Sequence, residues 1–154
     1  MYPLRLRPVR TLLIVLLSLL LSTACDKLPR NGALDGQWQL VRLNHTDVTA
    51  QRIYWAVQLD LIQLRSPRVA PTTSVPYSGG VILRFVRRAD SLFVETGFLM
   101  DRDHGRDLHI GPRHPADLSA LGVDTLPAHF AIRHLSSSRL VLTRGNQTLE
   151  FRKW

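Results

Sequence analysis

The feature that most constrains this chain is a succession of short β-type segments separated by turn residues, from Gly36 to the end at Trp154. Residues 36–43 alternate loosely between polar and apolar side chains, which predicts a first strand. Residues 81–88 and 91–99 are split by only two residues, the spacing of a β-hairpin. Three further strands are predicted at residues 128–135, 139–144 and 147–154. The last two are joined by Gly145-Asn146, a recognised hairpin turn signal.

The remaining segments are less regular. Residues 53–64 form one long apolar run; a helix is the alternative, but the β-branched and aromatic content favours a single strand. Residues 66–80 contain three prolines and end in Gly-Gly, which predicts a loop or two extended edge pieces. Residues 101–113 are polar and are predicted to form a loop. Residues 115–121 are predicted to form one short helix that starts at Pro115 and stops at Gly122.

These segments predict an all-β domain of seven or eight strands with one short helix. Most of the strands are joined as hairpins, so the sheet is expected to be antiparallel. Such a sheet tends to close into a barrel, because closure removes the exposed edges. A barrel of about eight strands is either filled by side chains or holds one small ligand.

The N-terminus has the form of a secretory signal. Arg5, Arg7 and Arg10 precede an eleven-residue stretch, 11–21, in which nine residues are Leu, Ile or Val. As a helix this stretch would rise only about 16 Å, against a bilayer core of about 30 Å. Residues 1–24 are therefore predicted to be a signal peptide, residues 25–34 a tether and residues 35–154 the barrel domain.

The only cysteine, Cys25, follows directly on this apolar stretch. Ser22-Thr23-Ala24-Cys25 resembles the lipobox of bacterial lipoproteins, in which the cysteine becomes the new N-terminus and is lipidated. The usual leucine three positions before the cysteine is replaced by Ser22. The resemblance implies attachment to the cell envelope, facing the periplasm, on the outer membrane with the inner membrane as the alternative. Two or more acyl chains give stable anchoring where one does not.

Removal of the signal peptide changes the charge. The full chain has a formal net charge of +8 from 20 basic and 12 acidic side chains. Residues 1–24 contain three arginines and no acid, so the mature 130 residues carry +5. No stripe of basic residues interleaved with aromatics is present, which argues against a nucleic-acid partner.

The first predicted strand carries a family resemblance. Gly36-Gln37-Trp38 is similar to the Gly-x-Trp motif of lipocalins and related calycin barrels, and the whole run resembles lipocalin-like lipoproteins of Gram-negative bacteria. The resemblance implies that Trp38 closes one end of the barrel and that an arginine of the last strand, Arg152, lies over its ring. The parity of Leu149 and Phe151 points Arg152 outward instead, so either a bulge redirects it or the stack is absent.

The polar segment 101–113 raises the question of a metal site. Its Asp-x-Asp opening fails as a calcium loop, because Gly105 and Arg106 stand where an oxygen ligand and a glycine are needed. His104, His109 and His114 are five residues apart, which fits neither helical nor strand spacing of metal ligands. A solvated loop is the expectation, with these histidines as the alternative zinc or copper ligands. No cofactor is predicted.

Catalytic motifs are not found. Gly-x-Ser-x-Gly is absent, Cys25 is assigned to lipid, and no glycine-rich phosphate loop precedes a helix. The expectation is a protein that is not an enzyme.

Two functions therefore remain open. One is the binding of a small apolar or amphipathic ligand inside the barrel. The residues predicted to line that site are Trp55, Val57, Leu59, Phe85 and Phe98. The other is a structural or protein-interaction module with a filled barrel, which would contact an envelope partner through its loops. An open interior cavity would favour the first function and a packed interior the second.

Overall fold

The computed structural model describes residues 30–73, 78–111 and 116–154. Within these ranges the chain forms twelve strands, some of them only two residues long. They are β1 Gly36–Leu43, β2 Thr46–Asp47, β3 Tyr54–Gln58, β4 Leu61–Arg65, β5 Thr72–Thr73, β6 Val81–Arg88, β7 Ser91–Asp101, β8 Arg106–Ile110, β9 Ala116–Asp117, β10 Ala128–Leu135, β11 Arg139–Arg144 and β12 Gln147–Lys153. In the same ranges the helical elements are single 3-10 turns at Gly32–Leu34, Thr49–Gln51 and Ser119–Leu121. Over the described chain, no helix is long and apolar enough to cross a membrane.

Eight strands close into an antiparallel barrel. Their order is β10-β11-β12-β1-β3-β4-β6-β7, and pairing of β7 with β10 completes the ring. Neighbours in the chain are mostly neighbours in the sheet, as expected where short turns join antiparallel strands. The all-β antiparallel barrel predicted from the sequence is confirmed, with eight strands in the wall.

Strand β7 has two different partners along its length. Its first four residues, 91–94, pair with β10, and residues 97–101 pair with β8. Between them Glu95 is an extra residue, because Arg84 of β6 lies opposite Thr96 while Phe85 lies opposite Val94. Strands β8 and β10 therefore diverge from the same strand and leave a wedge between them. The chain connecting β8 to β10 lies at this wedge.

The barrel axis is filled by side chains. Trp55 is 1% exposed, and its ring lies 5.0 Å from that of Phe151 and 5.9 Å from that of Phe130, between centroids. Tilted and edge-on contacts at these distances are the favoured geometry for aromatic pairs. Each fully buried side chain of this size stabilises the fold by about 1.5–3 kcal/mol. A continuous apolar core thus runs through the barrel.

The predicted single strand over residues 53–64 is wrong, since the structure has a hairpin there. Strands β3 and β4 are joined at Leu59 and Asp60, and Leu59 adopts the left-handed region with φ 58°. The inward side chains change parity across this turn, from Trp55 and Val57 to Ile62 and Leu64. Leucine carries no turn signature, so the pattern did not reveal the break.

Two other segments also differ from expectation. The predicted loop over 101–113 is largely a hairpin, because β7 continues to Asp101 and β8 pairs back along it. The predicted short helix is reduced to the 3-10 turn Ser119–Leu121, although it does end at Gly122, whose φ is 94°. Pro115 lies outside the described residues.

Of the remaining predicted connections, the two hairpins are confirmed and the proline-rich segment is described only in part. In the proline-rich segment, β5 is an extended piece that pairs with β9, while residues 74–77 lie outside the described chain. The two predicted hairpins form as expected, β6 with β7 and β11 with β12. Their turns place Ala89 and Gly145 at positive φ, 46° and 53°.

Candidate functional site

The two ends of the barrel are closed by the same device. At the end containing the turns 59–60 and 89–90, called here the tether end, the Trp38 Nε1–H donates to the Leu34 carbonyl at 2.7 Å. At the opposite end, called here the pocket end, the Trp55 Nε1–H donates to the Leu121 carbonyl at 2.9 Å. In each case the hydrogen bond of a buried indole holds a 3-10 turn across the end of the barrel. The same bond satisfies the indole N–H, the only polar group of the tryptophan side chain.

The cation over Trp38 is a lysine. The Lys153 Nζ lies 4.2 Å from the Trp38 ring centroid and donates to the carbonyls of Ala33, at 3.0 Å, and Asp35. The stack that the resemblance assigned to Arg152 is therefore made by its neighbour. Arg152 points outward, as its parity indicated, and donates to the Gln39 Oε1 at 2.9 Å.

The Gly-x-Trp motif has a direct steric explanation here. A Cβ on Gly36 would lie 2.9 Å from both the Cε and the Nζ of Lys153, and the φ of Gly36 is 116°. Glycine therefore leaves room for the lysine to reach the Trp38 ring. Burial lowers the pKa of Lys153 below its ordinary 10.5, and the Asp35 carboxylate partly opposes that shift. The parity Leu149, Phe151, Lys153 was the signal that could have identified this residue from the sequence.

Three of the five predicted lining residues face the interior. Trp55, Val57 and Phe85 are 1–3% exposed and belong to the packed core, so they line no open space along the axis. The prediction is wrong for the other two. Leu59 lies in the β3–β4 turn and is 54% exposed. Phe98 lies on the outer wall, where its ring is 5.3 Å from that of His109, because the extra residue Glu95 turns Gly97 and Leu99 inward instead.

The histidines do not assemble a metal site in the described chain. The His104 Nδ1 lies 2.9 Å from a carboxylate oxygen of Asp101, whereas His109 Nε2 contacts the Thr96 hydroxyl. Across residues 30–73, 78–111 and 116–154 no group of three His, Cys, Asp or Glu side chains could hold a metal ion. His114 lies outside these ranges.

Asp101 closes the β7–β8 hairpin. Its side chain is only 3% exposed and contacts the Arg106 Nε at 3.3 Å in addition to His104. Hydrogen bonding by His104, and then by Arg106, lowers the pKa of this carboxyl below its ordinary 3.8. The acidic and histidine side chains of this segment thus support a turn.

An apolar pocket of about 280 Å³ lies in the wedge between β8 and β10. Most of its lining side chains are aliphatic, and the polar ones are confined to one side. The lining residues are Ile110, Gly111, Ala116, Leu118, Val123, Asp124, Thr125 and Leu126. Apolar walls with a few placed polar groups are typical of small-molecule sites.

Gly97 shapes the barrel wall behind this pocket. A Cβ there would lie 2.8 Å from the Leu83 Cδ2, 3.0 Å from the Leu126 Cδ1 and 3.2 Å from the Ile110 Cδ1. Glycine therefore allows two of the pocket side chains to pack directly on β7. A glycine inside a predicted strand often marks such a close approach, and this was the sequence signal for a site that the strand pattern missed.

The polar side of the pocket is held by an arginine. Arg144 of β11 forms an ion pair with Asp124, and its Nη2 donates to the Thr125 hydroxyl at 2.6 Å. The Asp124 Oδ1 also accepts from the Thr125 amide at 3.0 Å. These contacts fix the connection that bounds the pocket, and they place a carboxylate and a hydroxyl beside an apolar volume.

The chain matches one family model and is similar to solved structures. Residues 19–154 match the family model of the lipocalin-like domain. Among solved structures, the chain is similar to a lipocalin-like protein from Bacteroides uniformis, with 14% identity and a TM-score of 0.48, covering 80% of this chain and 100% of that one. A protein from Bacteroides eggerthii is similar at 14% identity and a TM-score of 0.48, covering 78% and 98%. A search of curated proteins found no match.

The family model spans the whole described barrel, together with residues before it. The resemblance inferred from Gly36, Trp38 and the strand pattern is confirmed at the level of the family. A lipocalin-like barrel is in general a binding fold and not a catalytic one. The chain belongs to the lipocalin-like domain family.

Proposed function

We propose that this protein is a cell-envelope lipoprotein whose barrel domain binds a small apolar or amphipathic molecule in the wedge pocket. The observation that carries the proposal is the apolar volume between β8 and β10, beside a barrel whose axis is filled. Binding requires removal of apolar ligand surface from water, and the aliphatic wall of this pocket offers that environment.

The size of the pocket limits the ligand. Its volume of about 280 Å³ is near the lower end of the range for small-molecule sites, which is ~300–1,000 Å³. A short acyl chain or a single ring system fits this volume better than a bulky lipid. Asp124 and Thr125 at the polar side would orient the head of an amphipathic molecule. The Asp124 carboxylate is already paired with Arg144, so an uncharged polar head fits this side best.

The anchor in this proposal is the lipid on Cys25. The expected location is the periplasmic face of the envelope, on the outer membrane, with the inner membrane as the alternative. Metabolic labelling with an alkyne-bearing fatty acid tests it directly. We expect the wild-type chain to be labelled and the Cys25→Ala variant not to be. Equal labelling of the two would exclude this cysteine as the lipid site.

The ligand site can be tested by filling the pocket. Ala116 lines it, so Ala116→Trp should occupy much of its volume. Ala56, a half-buried alanine on the outer wall of β3, supplies the matched control Ala56→Trp. We expect an uncharged fluorescent probe with one fused ring system, such as prodan, to bind the wild type and the Ala56 variant, and to bind the Ala116 variant at least about tenfold more weakly, a change of ~1.4 kcal/mol. Equal binding to all three proteins would place the probe elsewhere.

A second candidate function is a protein-interaction module with a filled barrel. The packing of Trp55 against Phe130 and Phe151 favours it, because a filled axis leaves the exterior as the working surface. Protein extracted gently from its own envelope separates the two candidates. A co-purifying small molecule supports the pocket, and a stoichiometric co-purifying protein supports the interaction module.

A further inference from the structure

The tether end carries a surface groove of about 620 Å³ that is separate from the pocket. Two exposed apolar side chains lie in it, Leu59 at 54% and Val86 at 37% exposure. Three arginines line the same groove: Arg30, Arg84 and Arg87. Aliphatic side chains bordered by arginines are the combination by which membrane-surface segments contact anionic headgroups.

The charges at this groove are unbalanced. Asp60 is the one acid among its lining residues, and its carboxylate lies 3.5 Å from the Arg84 Nε. With three arginines the lining therefore carries a net +2. Nearby, Asp35 is hydrogen-bonded to Asn31 and lies close to Lys153, and Asp90 stands in the β6–β7 turn two residues after Arg88. These neighbours add two acids and two bases, so the excess positive charge remains.

The position of the groove in the chain is the second observation. Arg30 is part of its lining and stands only five residues after Cys25. Five residues span at most about 18 Å, even when fully extended. A lipid on Cys25 would therefore hold the tether end close to the bilayer surface. The electrostatic attraction of arginines to anionic headgroups acts over a Debye length, about 8–10 Å, and a tether at about half of its maximum extension brings the groove within that range.

We propose that the tether end docks on the headgroup layer of an anionic phospholipid membrane, with Arg30, Arg84 and Arg87 against the phosphates and Leu59 and Val86 at the interface. This inference rests on the proposed lipid anchor at Cys25. Docking in this way gives the domain one orientation on the membrane, and the pocket end then faces away from the bilayer into the periplasm.

The test uses the protein purified from its envelope and mixed with two vesicle populations, phosphatidylcholine alone and phosphatidylcholine with phosphatidylglycerol. Flotation with the vesicles reports the anchor, and hydrogen–deuterium exchange at the turns 59–60 and 89–90 reports docking. We expect flotation with both populations and slower exchange only with phosphatidylglycerol. High salt should reverse the slowing, because it screens the attraction.

The variant for this test is Arg30→Gln with Arg84→Gln. It leaves Arg87 intact, because Arg87 donates to the Asn31 carbonyl and supports the fold. The matched control is Arg68→Gln with Arg102→Gln, two exposed arginines at the pocket end. Each docking arginine should contribute about fivefold to the docking equilibrium. The first pair should therefore lose the protection of the turns, and the control pair should keep it.

The outcomes separate docking from anchoring. Flotation with both vesicle types but equal exchange would overturn docking and leave the anchor standing. Flotation only with phosphatidylglycerol, abolished by the Arg30 and Arg84 changes, would support docking and overturn the anchor. Flotation with neither population would overturn both. Protection of the tether end by a co-purified protein, with no dependence on phosphatidylglycerol, would replace the membrane with a protein partner and overturn docking.

Discussion

The two ends of this barrel are each closed by a buried tryptophan that is hydrogen-bonded to a 3-10 turn, but the connections and surfaces around the two tryptophans differ. At the tether end Trp38 holds the Gly32–Leu34 turn, and at the pocket end Trp55 holds the Ser119–Leu121 turn. The tether end has connections of two or three residues and a basic groove, whereas the pocket end has the longest connections and an apolar pocket. The closing tryptophans are thus part of the scaffold, and the connections determine what each end can contact.

The distribution of acids follows the same division. In the described residues six aspartates stand in or beside the connections of the pocket end. They are Asp47, Asp101, Asp103, Asp107, Asp117 and Asp124. The groove at the tether end has Asp60 as its one acid. At the pocket end these acids offset neighbouring arginines, as in the Arg106–Asp101 and Arg144–Asp124 pairs, so the excess positive charge of the groove should draw the tether end toward an anionic membrane.

The largest expected loss of stability follows from replacing either of the two closing tryptophans. Trp38→Ala and Trp55→Ala should each lower the free energy of unfolding by about 3–5 kcal/mol, because each opens a cavity in a packed core and leaves a carbonyl without its donor. Urea denaturation measures both. If one of the two costs less than ~1 kcal/mol, that end is not closed in the way described.

One glycine at each end allows the cost of an added Cβ to be compared between the ends. Gly122 and Gly32 both have positive φ, 94° and 59°, but a Cβ on Gly122 would lie 2.6 Å from the Leu149 Cδ2 while Gly32 has no atom within 4 Å. Gly122→Ala should therefore cost about 2–4 kcal/mol, through backbone strain and overpacking together. Gly32→Ala should cost only ~1 kcal/mol. The same denaturation measurement compares them, and equal costs would remove the steric argument at Gly122.

Lys153 allows a test of the tether end alone. Lys153→Met should destabilise the fold by about 1–2 kcal/mol, because it removes the cation from the Trp38 ring and two hydrogen bonds. Since the folded-state pKa is below 10.5, the folded protein releases this proton first. Wild-type stability should therefore gain a contribution as pH rises through that folded pKa toward 10.5, and the Met variant should lack it. Identical pH profiles would contradict the assigned burial of the ammonium.

The smallest expected effect lies at the pocket end, at Asp101. Its folded-state pKa is below 3.8, so the carboxylate stabilises the fold above that pH and the contribution is lost as pH falls through the folded pKa. Asp101→Asn should flatten the acid limb of the stability profile and leave the profile near neutral pH parallel to that of the wild type. An unchanged acid limb would show that the contacts with His104 and Arg106 do not favour the charged form.

The sequence patterns predicted the barrel because alternation and turn residues are local properties. Gly145-Asn146 and Ala89-Asp90 mark real turns, and the Gly36–Trp38 motif lies where the resemblance placed it. The prediction that Leu59 lines the barrel was wrong, because a leucine gives no local sign of a turn. The prediction that Phe98 faces inward was wrong, because the extra residue Glu95 turns each later side chain of β7 to the opposite face of the sheet.

The pocket could not be predicted for a different reason. It depends on β7 changing partners between β10 and β8, which is a property of the whole sheet and not of any one segment. In the sequence, Leu118 and Val123 are simply apolar residues of a connection. Their place in a pocket becomes evident only from the wedge between β8 and β10. Gly97 was the one local sign of close packing there, and its meaning depends on Leu126, far along the chain.

The axis of this barrel is filled, so we expect its ligand to bind in the wedge pocket. Native mass spectrometry of the wild type and of the Ala116→Trp and Ala56→Trp variants, each extracted gently from its own envelope, tests it most directly. We expect one small apolar or amphipathic molecule on the wild type and on the Ala56 variant, and none on the Ala116 variant. The same molecule on all three proteins, or none on the wild type, would contradict it.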